Sequence, residues 1–200
     1  MKRSGSWCRL PRVLKDPDDW SARGRMLLGA AWAGTAIENN MLGAAHSAAN
    51  PLTACYGIVH DEAVGLMLQW IVRFNAEDPA ARQSHAELAS TAGLVRPEDS
   101  PDAAVGALVE RLEWLLSLAG MPRWLSERGA ERAALPHLAR EAAAQWTAGF
   151  NPRSITAPDF ARLYDAAYSG AAGLNAGSCN GCEVAIVNRN SPVYDLARFS

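Results

Sequence analysis

Gly43-Ala44-Ala45-His46-Ser47-Ala48-Ala49-Asn50-Pro51-Leu52-Thr53-Ala54, followed by Tyr56-Gly57-Ile58-Val59-His60, is the stretch that decides the reading of this chain. It combines small apolar residues with two histidines and almost no charge. Between Met26 and His60 the only formal charge is Glu38. A run of that kind raises the question of a membrane span, which takes about 20 predominantly apolar residues. Asn39, Asn40, Asn50, Pro51, His46 and His60 interrupt it, and such groups are costly in hydrocarbon. The stretch is therefore expected to form buried helices of a soluble core, with no membrane partner.

The composition around it agrees. Of 200 residues 38 are alanine, and 49% of the chain is hydrophobic against 20% charged. Alanine is the best helix former, whereas the β-branched residues that favour strands are few. An all-α, multi-helix domain follows, and disordered or collagen-like chains are excluded. The net charge of −2 offers no basic face for nucleic acid. Basic residues gather only at Lys2, Arg3, Arg9, Arg12 and Lys15, in a segment 1–15 without the apolar run of a secretory leader. Cys8 and Cys55 stand alone, which is no disulfide framework, so a cytoplasmic location is the default expectation.

Apolar periodicity and punctuation place the helices. Asp16-Pro17-Asp18-Asp19 opens one whose face is Met26, Leu27, Ala30, Ala33, Ile37 and Met41. A second covers Ala44 to Asn50, stopped or bent by Pro51. Asp61-Glu62 begins a third, with Val64, Met67, Leu68, Ile71 and Val72 facing inward. Pro79 to Ala92, closed by Gly93, and a helix from Asp99-Ser100-Pro101-Asp102 to Gly120 come next. Shorter helices are expected at 122–128, 135–146 and 157–168. This main domain spans 16–169. Gly170-Ala171-Ala172-Gly173 then reads as a flexible linker into a tail, 170–200, in which Val184-Ala185-Ile186-Val187 is the one strand-like run.

Four histidines are present. His85, among Gln, Ser and Glu, and His137, after Pro136, read as surface residues. His46 and His60 lie in the charge-poor segment, one closing a Gly-Ala-Ala run and the other opening the next helix. Spacing alone leaves open whether they are hydrogen-bonded core histidines or ligands of one ion.

The segment Gly43–Ala54 with Tyr56–His60, continuing to Arg73-Phe74-Asn75, resembles the C-terminal helical domain of the iron-containing (group III) alcohol dehydrogenases. So does Thr147-Ala148-Gly149-Phe150-Asn151-Pro152-Arg153, with Asp159 and Leu163-Tyr164 after it. The likeness spans about residues 10–168. It implies reversible alcohol–carbonyl conversion of a small alcohol or aldehyde with NAD(P), at a divalent metal, Fe(2+) or Zn(2+), held by one Asp and three His. By this resemblance His46 and His60 are the third and fourth metal ligands, with the family's 14-residue separation, and Asn50 lines the substrate pocket. Asn50 stands where many members carry another His, and Asp61 stands where a Gly is expected. No Gly-rich phosphate loop occurs, and the family's first two ligands would precede the chain's first residue. The expectation is that this chain alone neither oxidises alcohols nor holds iron tightly, and that it is a truncated reading frame fused to another.

In the tail, Gly177-Ser178-Cys179-Asn180-Gly181-Cys182-Glu183-Val184 and Ser191-Pro192-Val193-Tyr194-Asp195 resemble the start of the iron–sulfur small subunit of [NiFe] hydrogenases and its complex I relative. There Cys179 and Cys182 would ligate a [4Fe–4S] cluster. Two alternatives to the truncated enzyme domain stand beside it. One is a non-catalytic helical module that pairs with a separate nucleotide-binding chain or with further copies of itself. The other is an electron-transfer fragment built on Cys179 and Cys182.

Overall fold

Asp19 accepts a hydrogen bond from the Ala22 N–H, Asp78 from Ala80 and Ala81, and Ser100 from Ala103. Each satisfies backbone donors that a helix start would otherwise leave unpaired. The structure, a computed structural model, describes residues 9–169, and among them there is no strand. The elements are α1 (Leu10–Lys15), α2 (Trp20–Asn40), α3 (Ala44–Tyr56), α4 (His60–Asn75), α5 (Pro79–Thr91) and α6 (Pro101–Leu118). Short 3-10 turns at Leu125–Arg128, Arg132–Ala134 and Trp146–Phe150 flank α7 (Leu135–Ala144), and α8 (Ala157–Ser169) closes the domain. The short helix α1 falls inside the basic segment, where no helix was expected. The linker and tail expected at 170–200, including Cys179 and Cys182, lie outside the described residues.

The main core joins α3, α4, α7 and α8. Tyr164, Phe160, Leu52, Leu66, Met67 and Leu138 are among its largest fully buried side chains. Tyr164 sits wholly inside and donates its hydroxyl hydrogen to the Ala48 carbonyl at 2.6 Å. Burial pushes its phenol well above the ordinary pKa of 10.0, so it stays a neutral donor to α3. A second, smaller cluster gathers Val72, Ala86, Ala89, Val105, Leu108 and Val109 between α4, α5 and α6. The five inward residues expected for α4 therefore split between two cores: Val64, Met67 and Ile71 face the first, Val72 and Leu68 the second.

Two expectations are corrected. Helix α3 does not stop at Pro51 but runs through it to Tyr56. The proline removes one backbone donor, yet Ser47, Ala48, Ala49, Pro51 and Leu52 are all buried, and that packing outweighs one missing bond. The helix ends at Gly57, whose φ of +64° suits glycine.

The second correction is larger. Helix α2 is not buried: Trp20 is 74%, Leu27 72% and Trp32 65% exposed, and Ala22 is its one buried residue. Of the face expected to point inward, Met26 alone is partly covered. Leu28 and Trp32 lie off that face, so apolar groups surround the helix and no single stripe directs it onto the domain. It leaves through Met41, a non-glycine residue at φ +64°, a conformation with a strain cost of about 1–3 kcal/mol. Among the described residues no helix is long and apolar enough to cross a membrane.

Candidate metal centre

Gly57 turns the chain back after α3, and Val59 leads directly into α4. That three-residue reversal brings the first turn of α4 beside the first turn of α3. His46 and His60 meet there, with ring centroids 5.4 Å apart and planes tilted by 45°. A ligating imidazole holds an ion at about 2.1 Å, which puts its centroid about 3.2 Å away, so two rings at tetrahedral positions would lie about 5.2 Å apart. The observed separation suits that arrangement.

Both rings are partly buried. Burial is the main force holding His46 below its ordinary pKa of 6.5, and the neighbouring His60 adds to it, while the Asp61 carboxylate opposes both. A histidine that stays neutral is ready to ligate, because the proton does not have to be displaced first. Among the described residues no group of three or more His, Cys, Asp or Glu side chains is already gathered for an ion. The residues present thus fit two positions of a metal shell.

Asn50 lies one turn beyond His46 on α3, and its Nδ2 donates to Gln145 Oε1 at 3.0 Å. The hydroxyls of Ser47 and Thr147 bond each other at 2.7 Å inside the core. Directly after the Trp146–Phe150 turn, Asn151 acts as a hub. It exchanges hydrogen bonds with Asn75 at 2.7 and 3.2 Å, donates to the Arg153 carbonyl at 2.7 Å and accepts from the Ala44 N–H at 3.4 Å. Arg153 donates to the Phe74 carbonyl at 2.6 Å, lies 3.8 Å over the Phe74 ring and pairs with Glu77 at 2.7 Å. Segment 145–153 therefore clamps the start of α3 to the end of α4. The rings of Trp146 and Phe150 meet edge to face at 5.7 Å, and both side chains are exposed.

The clamp was legible only in part. Asn151-Pro152-Arg153 marked the turn, but nothing in the sequence paired Gln145 with Asn50 or Thr147 with Ser47, which lie 95 and 100 residues apart. His137 is exposed as expected. His85 is not: it is half-buried, its Nδ1 has no partner, and burial lowers its pKa. Its polar neighbours Gln83, Ser84 and Glu87 hid the fact that α5 lies against α6.

The sequence model of the Fe-containing alcohol dehydrogenase family, C-terminal, matches residues 8–168. The 1-propanol dehydrogenase PduQ of Salmonella typhimurium is 31% identical over 160 residues, which are 78% of this chain and 43% of that protein. The lactaldehyde reductase of Escherichia coli K12 is 31% identical over 150 residues, covering 75% of this chain and 39% of the relative. Among solved structures, a 1,3-propanediol oxidoreductase superposes with a TM-score of 0.75 at 24% identity, over 82% of this chain and 44% of its own. The alcohol dehydrogenase of Oenococcus oeni gives 0.74 at 25% identity, over 82% and 43%. The chain thus spans less than half the length of the relatives it matches. An all-helical domain with this fold, matched over residues 8–168, belongs to the Fe-containing alcohol dehydrogenase family as a member of its C-terminal domain.

Proposed function

We propose that this domain supplies the metal-and-substrate half of an NAD(P)-linked alcohol–carbonyl oxidoreductase. The observation that carries the proposal is the pair of imidazoles His46 and His60, with ring centroids 5.4 Å apart where the first turns of two helices meet. When bound, an Fe(2+) or Zn(2+) ion supplies Lewis acidity that polarises the substrate's oxygen. His46 and His60 would hold that ion. Asn50, fixed by Gln145, orients a substrate hydroxyl or carbonyl by hydrogen bonding; it cannot carry a proton near neutral pH. The Ser47–Thr147 bond holds α3, and with it both Asn50 and His46, in register against the clamp.

The nicotinamide nucleotide and the remaining ligands would come from the part of the enzyme that occupies more than half of each relative's length. Helix α2 favours a pairing of this kind. Its apolar residues Trp20, Leu27, Leu28 and Trp32 are exposed, and contiguous apolar surface of this kind marks interaction sites. We propose that it docks the nucleotide-binding part, and that without that part the chain turns over no alcohol.

Loading the protein with Fe(2+) and mixing it with a nucleotide-binding domain from a relative, NADPH and a short aldehyde tests this. NADPH oxidation that disappears in His46→Ala and His60→Ala is expected. Turnover that survives both substitutions would contradict the proposal, as would turnover by the isolated chain.

A further inference from the structure

Gly93, at φ +70°, ends α5 by turning the chain so that the Leu94 N–H reaches the Ala89 carbonyl at 3.0 Å. Leu94 is thereby folded back onto the edge of the smaller core. Together with Leu88 and Ala92 of α5 and Leu108, Leu112 and Leu115 of α6, it lines a shallow cleft of about 280 Å³, open to solvent. All six of those side chains are aliphatic. The one polar side chain on the cleft is Arg111. Its guanidinium lies 4.9 Å from the centre of the Trp114 ring, and it enters no ion pair among the described residues. Two carboxylates of the same helix, Asp102 and Glu113, are taken by Arg82 and Arg73. Glu110 is one residue away, and adjacent residues on a helix do not face each other.

An aliphatic slot with a single unpaired cation at its edge complements a molecule with a hydrocarbon chain and one negative end. We propose that this cleft binds a short straight-chain alkyl carboxylate, its chain along Leu88, Leu108 and Leu112 and its carboxylate on Arg111. A planar guanidinium meets a carboxylate with two parallel N–H donors. Stacking on Trp114 steadies the plane of that fork and leaves its charge available. The volume falls just below the about 300–1,000 Å³ of clefts that take drug-sized ligands, which sets the size of the occupant at a short chain. The cleft shares no residue with His46, His60 or Asn50, so it is a second small-molecule site that stands or falls apart from the metal centre.

Titrating the full chain with sodium butyrate and sodium hexanoate, followed through the leucine methyl signals in two-dimensional NMR, tests it. The methyls of Leu88, Leu108 and Leu112 should shift and saturate, and each added methylene should tighten binding about two- to fourfold. Arg111→Gln keeps most of the stem and removes the charge. It should weaken hexanoate about fivefold and leave the binding of uncharged 1-hexanol unchanged. Ala92→Phe fills the cleft and should abolish binding of both, with far-UV circular dichroism reporting that the helices remain. The proposal is overturned if the wild type shows no saturable shift, or if Arg111→Gln binds hexanoate like wild type. It is overturned equally if the shifts fall as strongly on the exposed Leu27 and Leu28 of α2, which would mean general adsorption to apolar surface.

Discussion

Helices α2 and α4 are both poor in charge along their middles, yet they end in opposite environments. Helix α4 keeps Asp61 and Glu62 in its first turn and Arg73 in its last, and buries Ala63, Leu66, Met67, Ile71, Val72 and Phe74 between them. Helix α2 is longer and just as apolar, and only Ala22 is covered. Low charge therefore did not decide burial. Direction did: α4 has two apolar faces that meet two cores, whereas the apolar residues of α2 surround it and commit it to none. A helix that is apolar all round is one that expects a cover.

The largest effect that could break this contrast is on stability. Leu66→Ala, at a site 1% exposed, should cost about 2–5 kcal/mol in urea unfolding, while Leu27→Ala, 72% exposed, should stay within about 0.5 kcal/mol. Equal losses would mean that α2 is packed after all. Next comes Asn151→Ala, which leaves the partners on Asn75, Arg153 and Ala44 unpaired at once; a loss of about 1–3 kcal/mol is expected. Replacing Thr147 by Val should cost about 1 kcal/mol, because the buried Ser47 hydroxyl keeps only its long contact to the Gly43 carbonyl.

The α2 surface itself is sharpened by Leu27→Glu combined with Trp32→Gln. The pair should reduce binding of a hydrophobic dye and abolish docking of a nucleotide-binding domain, with the urea midpoint unmoved. Docking that survives would place the receiving surface elsewhere.

The smallest effect is one of pH. The pKa values of His46 and His85 are both lowered by burial from 6.5. The unfolded chain therefore binds protons that the folded one resists. Their contribution is present above pH 6.5 and is lost as pH falls from there through the lowered values. Stability should decline over that interval, and His85→Gln should flatten the decline. A profile unchanged by that substitution would assign the slope to other groups.

Much of the fold was legible because local signals and packing agreed. Asp19 and Ser100 announced helix starts, Gly93 and Gly120 announced ends, and both glycines adopt positive φ. Pro51 misled because its local cost is overridden by the burial of its neighbours, which no local rule contains. Helix α2 misled because low charge was read as burial, whereas the described residues cover only Ala22 of it. Of the site, His46 and His60 could be singled out by their charge-poor setting and the family spacing. Gln145 and Thr147 could not, since their bonds to α3 join residues about a hundred positions apart. Asp61 stood out only as a departure from the expected glycine.

The central claim is that His46 and His60 close on a single divalent ion. X-ray absorption at the zinc edge of the zinc-loaded protein tests it most directly. The account predicts outer-shell scattering from two imidazoles per ion, reduced to one in His46→Ala and in His60→Ala. A zinc-loaded protein whose spectrum shows no imidazole scattering, or shows the same scattering in both variants, would contradict it.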